Sequence, residues 1–224
     1  RGVSGRASTR RDEPYFFDHG AQYFTARTKP FQDFIQPFLN KGIIERWKPR
    51  YVKFKNNQII QRRNWCDEEP RYVGVPGMNH VAKFLAEGLN IHINTRITSL
   101  NHHDTWQLTD GQGKQYDGFD WVICALPSPQ ALELLPVSFA CHSHISVIKM
   151  RACFSLMLGF EQSLPLDFEA AHVTDADLSW IAVNSHKPLR HGPFTLMVHS
   201  SEDYAEACID DERDQVMQHL INET

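Results

Sequence analysis

The sequence predicts a mixed α/β chain, α+β in the way its elements segregate, with one buried sheet and a smaller β-rich portion. Three observations predict it. Phe31, Phe34, Ile35, Phe38 and Leu39 recur at the spacing of one helix face. The run Trp121-Val122-Ile123-Cys124-Ala125-Leu126 is continuously apolar, of strand length and closed by Pro127, the pattern of a strand covered on both faces. Between them, β-prone runs at 51–54 and 58–61 flank Asn56-Asn57, a hairpin turn signal.

Taken in order, residues 1–28 combine glycine, arginine and aromatic residues without periodicity and read as a structured loop region. The helix over 31–41 stops at Gly42, where a C-terminal cap belongs. Strands are expected at 43–47, 51–54 and 58–61. Met78, Val81, Ala82 and Leu85 define a second helix ending at Gly88, and 91–95 alternates apolar and polar like a half-buried strand. Gly111-Gln112-Gly113 reads as a hairpin turn. The strand at 120–125 leads into a short helix over 129–135 that begins on proline. Further strands are expected at 154–160, 178–183 and 194–199, then a terminal helix over 211–221. Cys124 and Cys153 are expected as core thiols within apolar strands.

The 224 residues, 42% of them apolar, suffice for one large domain or two small ones. A net charge of −4 with both signs interspersed gives no basic face for nucleic acid. No window approaches the ~18 apolar residues of a membrane helix. The opening Arg1-Gly2-Val3-Ser4 has no apolar signal region. Cys66, Cys124, Cys141, Cys153 and Cys208 follow no framework spacing, which reads as reduced thiols in a cytoplasmic protein. The first residue is not methionine and the last ones fall inside a helical pattern, so the expectation is an internal piece of a longer protein.

For metal, Cys141-His142-Ser143-His144 and His102-His103 lack a second ligand pair at zinc spacing. No G-x-S-x-G, Walker or G-x-G-x-x-G motif is present. Three segments stand out instead. Gly2-Val3-Ser4-Gly5-Arg6 lets backbone approach an anion beside a guanidinium. Asp18-His19-Gly20-Ala21-Gln22-Tyr23-Phe24 sets small residues among aromatics and an amide, as a flat heteroaromatic ligand requires. Arg71-Tyr72-Val73-Gly74-Val75-Pro76-Gly77-Met78 is a Gly/Pro loop leading to a helix N-terminus.

These segments, in this order, resemble the flavin-containing amine oxidase superfamily, and within it the bacterial renalase-like branch of NAD/FAD-dependent oxidoreductases. The resemblance is carried by residues 1–11 (RGVSGRASTRR), 18–27 (DHGAQYFTAR), 71–78 (RYVGVPGM), 94–100 (NTRITSL), 120–129 (DWVICALPSP), 150–161 (MRACFSLMLGFE) and 178–188 (LSWIAVNSHKP). It implies FAD as cofactor. Gly5 and Arg6 match a Gly-Gly-Arg whose arginine lies against FAD, with Ser4 in place of the first glycine. Gly20, Ala21, Gln22 and Tyr23 match the stretch lining the flavin, and Gly74 and Gly77 the loop approaching its rings. Ile97 matches the residue whose backbone meets the adenine. Ala125, Leu126 and Pro127 match a turn passing near the cofactor.

The family's strand–GxGxxG–helix unit and its Gly-Asp segment near the ribityl chain have no counterpart here. The resemblance therefore implies a partial Rossmann-like FAD-binding domain (1–30 and 71–135) beside a β-rich substrate domain (31–70 and 136–224). FAD binding by this stretch alone is expected to be weak or absent, the stretch inactive, and its unpaired edges prone to self-association.

By resemblance, the activity implied is hydride transfer from an amine or a reduced pyridine nucleotide, NAD(P)H, to flavin and then to O₂. Trp180, Asn184 and Lys187 are the candidates on the substrate side. Lys149, after Ser146-Val147-Ile148, resembles the lysine that holds a water at the flavin in monoamine oxidases and is the catalytic candidate. Two alternatives stay open: a flavin monooxygenase or desaturase, and a non-catalytic relative that has lost its flavin.

Overall fold

The computed structural model describes residues 2–65 and 69–224; Arg1 and Cys66, both named above, lie outside the described residues. The polypeptide divides into two compact units, one of residues 90–151 and one of residues 2–89 with 152–224. The first stretch of the larger unit opens with a hairpin of β1 (Arg10–Asp12) and β2 (Tyr15–Phe17), then β3 (Phe24–Thr25). Helix α1 (Lys29–Asn40) follows, with β4 (Ile44–Arg46), β5 (Arg50–Lys55), β6 (Gln58–Asn64), β7 (Arg71–Gly74) and α2 (Asn79–Leu85). In the smaller unit come β8 (Ile97–His102), β9 (Trp106–Asp110), β10 (Gln115–Phe119), α3 (Ser128–Leu134) and α4 (His142–Ser146). The chain then returns through β11 (Ser155–Phe160), β12 (Ala170–Thr174), β13 (Leu178–Val183), β14 (Phe194–Ser200), α5 (Glu202–Ala207) and α6 (Arg213–Glu223). The mixed α/β class is as the sequence predicts.

The larger unit is organised by a six-stranded sheet of order β11-β14-β13-β12-β5-β6, in which only the β12–β5 pair is parallel. Asn56 and Asn57 turn β5 into β6 at φ 48° and 57°, the left-handed pair that matches strand twist in a tight hairpin. One face of the sheet buries Val52, Ala171, Ile181 and Val198 against Val216 and Leu220 of α6. The other buries Tyr51, Ala170, Ala182 and Met197 with Trp47, Trp65 and Phe17. Strand β7 sits between β3 and β4 in a small antiparallel sheet, on which Ile35 and Phe38 of α1 pack. Gly42, just past α1, takes φ +64°, as its place after the helix demands. This sheet draws residues 24–25 and 71–74 into one unit with 44–46, so segments assigned above to different domains share it.

The smaller unit is an antiparallel meander, β8-β9-β10, with two short helices. Two expected strands are absent. Residues 91–95 and 120–125 form no strand. An apolar run becomes a strand only when a neighbouring strand's backbone pairs with it, and 120–125 has no such neighbour in any sheet of the described residues. Trp121 and Ile123 are in consequence 85% and 88% exposed. Cys124 is half-buried outside any strand and Cys153 is exposed, so neither is the core thiol expected. No helix among the described residues is long and apolar enough to cross a membrane.

Candidate functional site

Asp18 follows directly on β2 and is fully buried. Its carboxylate is the hub of the larger unit. Oδ1 accepts from the Thr9 hydroxyl at 2.7 Å and from the Met78 backbone N–H at 3.0 Å. Oδ2 accepts from Arg190 Nη2 at 2.6 Å and Nε at 3.2 Å, with Lys187 Nζ at 3.7 Å. Asn184 closes the arrangement, donating to Phe16 O at 3.0 Å while its own Oδ1 accepts from Asp18 N at 3.4 Å. Gln22 donates to Asp18 O at 2.5 Å and accepts from Lys187 Nζ at 2.9 Å.

The two cations are not equally served. Burial pushes the Asp18 carboxyl up, but the charges of Lys187 and Arg190 and the Met78 N–H outweigh it and hold it below the ordinary carboxylate value. Burial also dominates at Lys187, whose side chain is wholly enclosed, and lowers it to about 8 against the attraction of Asp18. Geometry explains why Lys187 gains so little from the pair. Arg190 engages Oδ2 through a two-nitrogen fork, and Lys187 is left with a longer contact to an oxygen already claimed. Lys187 Nζ lies 5.3 Å from the centre of the Trp47 ring. It is a buried amine able to hold or release a proton near neutral pH.

Around Asp18 the three Gly-bearing segments converge. Ala21 N–H donates to Arg6 O at 3.0 Å. A Cβ on Gly20 would stand 1.9 Å from that same oxygen, one on Gly74 2.8 Å from Gly77 O, and one on Gly77 2.8 Å from Thr9 Oγ1. Gly20 is thus required by a close backbone approach. Gly20→Ala is expected to cost at least about 2 kcal/mol, because backbone on both sides must move; an unchanged urea midpoint would refute this.

Beside this hub stands an aromatic cluster. Tyr23 meets Trp65 edge-on at 5.0 Å and Trp180 at 5.9 Å; Trp65 and Trp180 stack at 6.0 Å, and Tyr51 stacks on Trp65 at 5.2 Å. The Arg71 guanidinium lies 3.8 Å over Trp65 and that of Arg63 5.0 Å over Tyr51. These side chains line a pocket of about 410 Å³.

The candidates from sequence are therefore distributed over both units. Gly5, Arg6, Gly20, Ala21, Gln22, Tyr23, Gly74, Gly77, Asn184 and Lys187 are at or next to the Asp18 hub, and Trp180 is in the aromatic cluster. Ile97, Ala125 and Leu126 belong to the smaller unit, where they line a separate cavity of about 670 Å³; Pro127 precedes α3 there. Lys149 is exposed in the same unit, past the end of α4. Asp18, named above only as the first residue of the 18–24 segment, and Arg190 carry the hub; neither was expected in that role, and Trp47, Trp65 and His199 were not candidates. A charged residue placed directly after the apolar Tyr15-Phe16-Phe17 was the available signal for Asp18.

Residues 9–223 match the family of flavin containing amine oxidoreductases. The chain belongs to that family. Among solved structures, this amine oxidoreductase is similar to a protein assigned as a protoporphyrinogen oxidase from Exiguobacterium sp. 255-15, at TM-score 0.71 and 10% identity over 97% of this chain and 73% of that one. It is also similar to wild-type putrescine oxidase bound to putrescine, at TM-score 0.64 and 9% identity over 94% and 70%. At such identities the likeness shows the fold.

The residues present fit a flavin of the kind the family name implies. Gly5 holds φ +49° with no atom within 4 Å of where its Cβ would be, so backbone is open beside the exposed Arg6. His19 Nδ1 and His199 Nε2 are buried with no partner among the described residues. Burial, then the charge of Lys187, lowers the His199 pKa. A heteroaromatic ring system with a polar edge is the sort of ligand that such groups satisfy.

Proposed function

We propose that this family member serves an FAD-dependent oxidation of the renalase-like type, in which hydride leaves a C–H adjacent to nitrogen of an amine or a reduced pyridine nucleotide. When bound, FAD supplies the hydride acceptor and passes the two electrons on to O₂. The observation that carries the reading is the convergence of the Gly5–Arg6, Gly20–Gln22 and Gly74–Gly77 segments on Asp18, with Lys187 buried among them. Gly5, Arg6 and Ala21 would hold the cofactor by backbone and guanidinium contacts. Gln22 fixes Lys187 Nζ, which holds a proton below pH 8 and releases it above. Trp180 and Tyr23 orient a flat substrate and exclude water. A buried, titratable amine beside an aromatic pocket favours Lys187 over the exposed Lys149 for any proton-holding role.

The absorbance spectrum of the protein purified from its native cells tests this. Flavin bands are expected, and Arg6→Ala should lower FAD affinity by about tenfold, the worth of one charge-assisted hydrogen bond. A colourless protein that takes up no added FAD would leave the non-catalytic reading standing.

A further inference from the structure

The aromatic pocket is walled by donors that have nothing to donate to. Trp65 Nε1, Trp180 Nε1 and Arg71 Nε are all buried without a hydrogen-bond partner among the described residues. All three belong to side chains lining the one pocket. Indole and guanidinium groups donate and cannot accept, so rotating or re-protonating them offers no remedy. Buried donors left unpaired carry their full desolvation cost, and three on the side chains of one pocket call for an acceptor from outside the described residues. The charge there points the same way. Arg63 and Arg71 both line the pocket, and no described lining residue is a carboxylate. Glu69 accepts from Arg71 Nη1 with its backbone carbonyl at 3.2 Å and brings its carboxylate to 3.9 Å from Nη2, and neither contact engages Nε. Asp167, another acid near Arg63 among the described residues, is paired with Arg62 at 2.7 Å. The walls are ring faces, Tyr23, Tyr51, Trp65 and Trp180, and the volume of about 410 Å³ suits one small planar group.

We infer that this pocket binds a planar ring bearing a carboxylate, with the ring against the tryptophans and the carboxylate taking the Trp65, Trp180 and Arg71 N–H groups beside Arg63. A bare ammonium in the same place would find aromatic faces but also two guanidiniums and three donors, all of which repel it. The inference deepens the oxidoreductase reading, on which it rests for calling the bound molecule a substrate, by making that substrate an anionic planar compound rather than a simple amine.

Calorimetric titration with benzoate, benzamide and benzylamine decides it. Benzoate is expected to bind saturably, and benzylamine at least about tenfold more weakly, the order of effect of one charge-assisted contact. Arg63→Gln, at an exposed position of β6, should weaken benzoate several-fold and leave benzamide nearly unchanged. Trp180→Phe, which keeps the ring and removes the N–H, should weaken both acceptor ligands. Benzylamine binding as tightly as benzoate, an Arg63→Gln protein with unaltered benzoate affinity, or heat from none of the three would overturn the inference. The readout needs no flavin. A flavin-free protein that binds benzoate would uphold the pocket and remove the oxidoreductase reading, and a flavoprotein that ignores benzoate would do the reverse.

Discussion

Asp18→Ala is expected to lower the free energy of unfolding by about 3–5 kcal/mol, the range for removing one partner of a buried ion pair. The loss has three sources on one side chain. Arg190, whose side chain is 4% exposed, keeps its charge and loses both nitrogens' acceptor. Lys187, wholly enclosed, loses the carboxylate it is paired with among the described residues and must give up its proton or leave the interior. The Met78 N–H and the Thr9 hydroxyl lose their acceptor as well. Because Thr9, Asp18, Met78 and Arg190 stand on four separate stretches of chain, the loop segments that approach one another at Gly20 and Gly77 should lose their anchorage together. Asp18→Asn keeps an Oδ1 acceptor but not the charge and should fall between wild type and alanine. Urea unfolding at neutral pH measures both. A loss below about 1 kcal/mol for alanine would mean that Arg190 and Lys187 find water or other acceptors, and that Asp18 does not organise the site.

What the sequence made legible follows from how far apart the deciding groups are. The β5–β6 hairpin was readable because Asn56 and Asn57 specify their own backbone geometry. Helix α1 was readable because its apolar stripe and Gly42 are local. Strand β13 has the limits expected from sequence, 178–183. Strand β12 went unseen: Ala170-Ala171-His172 has little β character of its own and is extended because it pairs with β5, 120 residues distant for the Thr174–Phe54 bond. The opposite error at 120–125 has the same root, since a strongly apolar run has no pairing partner there. The site behaves likewise. Glycines marked its edges, because close backbone approach demands them wherever they fall. Its centre is a contact between residues 172 apart, Asp18 and Arg190, and nothing local distinguishes either from a surface charge. Trp180 was legible as a candidate from sequence; that its N–H and that of Trp65 are buried without a partner among the described residues required the packed side chains.

Lys187→Met is expected to stabilise the protein at neutral pH, by about 2 kcal/mol, and to do so less and less as pH rises. An ammonium ordinarily loses its proton near 10.5, and Lys187 in the folded chain does so at about 8. Below pH 8 the amine is charged in both states, and the native state bears the cost of burying that charge. Between about 8 and 10.5 the unfolded chain still holds the proton while the folded chain has shed it, so the unfolded state binds more protons and stability must climb with pH. The climb attributable to this one group is about 3 kcal/mol over the window, at ~1.4 kcal/mol per pH unit. Methionine fills the space beside Trp47 without titrating, at the cost of leaving Gln22 Oε1 without its donor, about 1 kcal/mol. The variant should therefore show its advantage at pH 7 and lose it by pH 10, with the Lys187-dependent rise missing from its stability profile. A parallel rise in both proteins would assign the titration to another group and return Lys187 to the role of an ordinary ion-pair partner. In an enzyme that uses this amine to hold a proton near its substrate, the same substitution should also erase a limb near pH 8 from the rate profile while leaving the fold intact, a separation that a purely structural lysine would not produce.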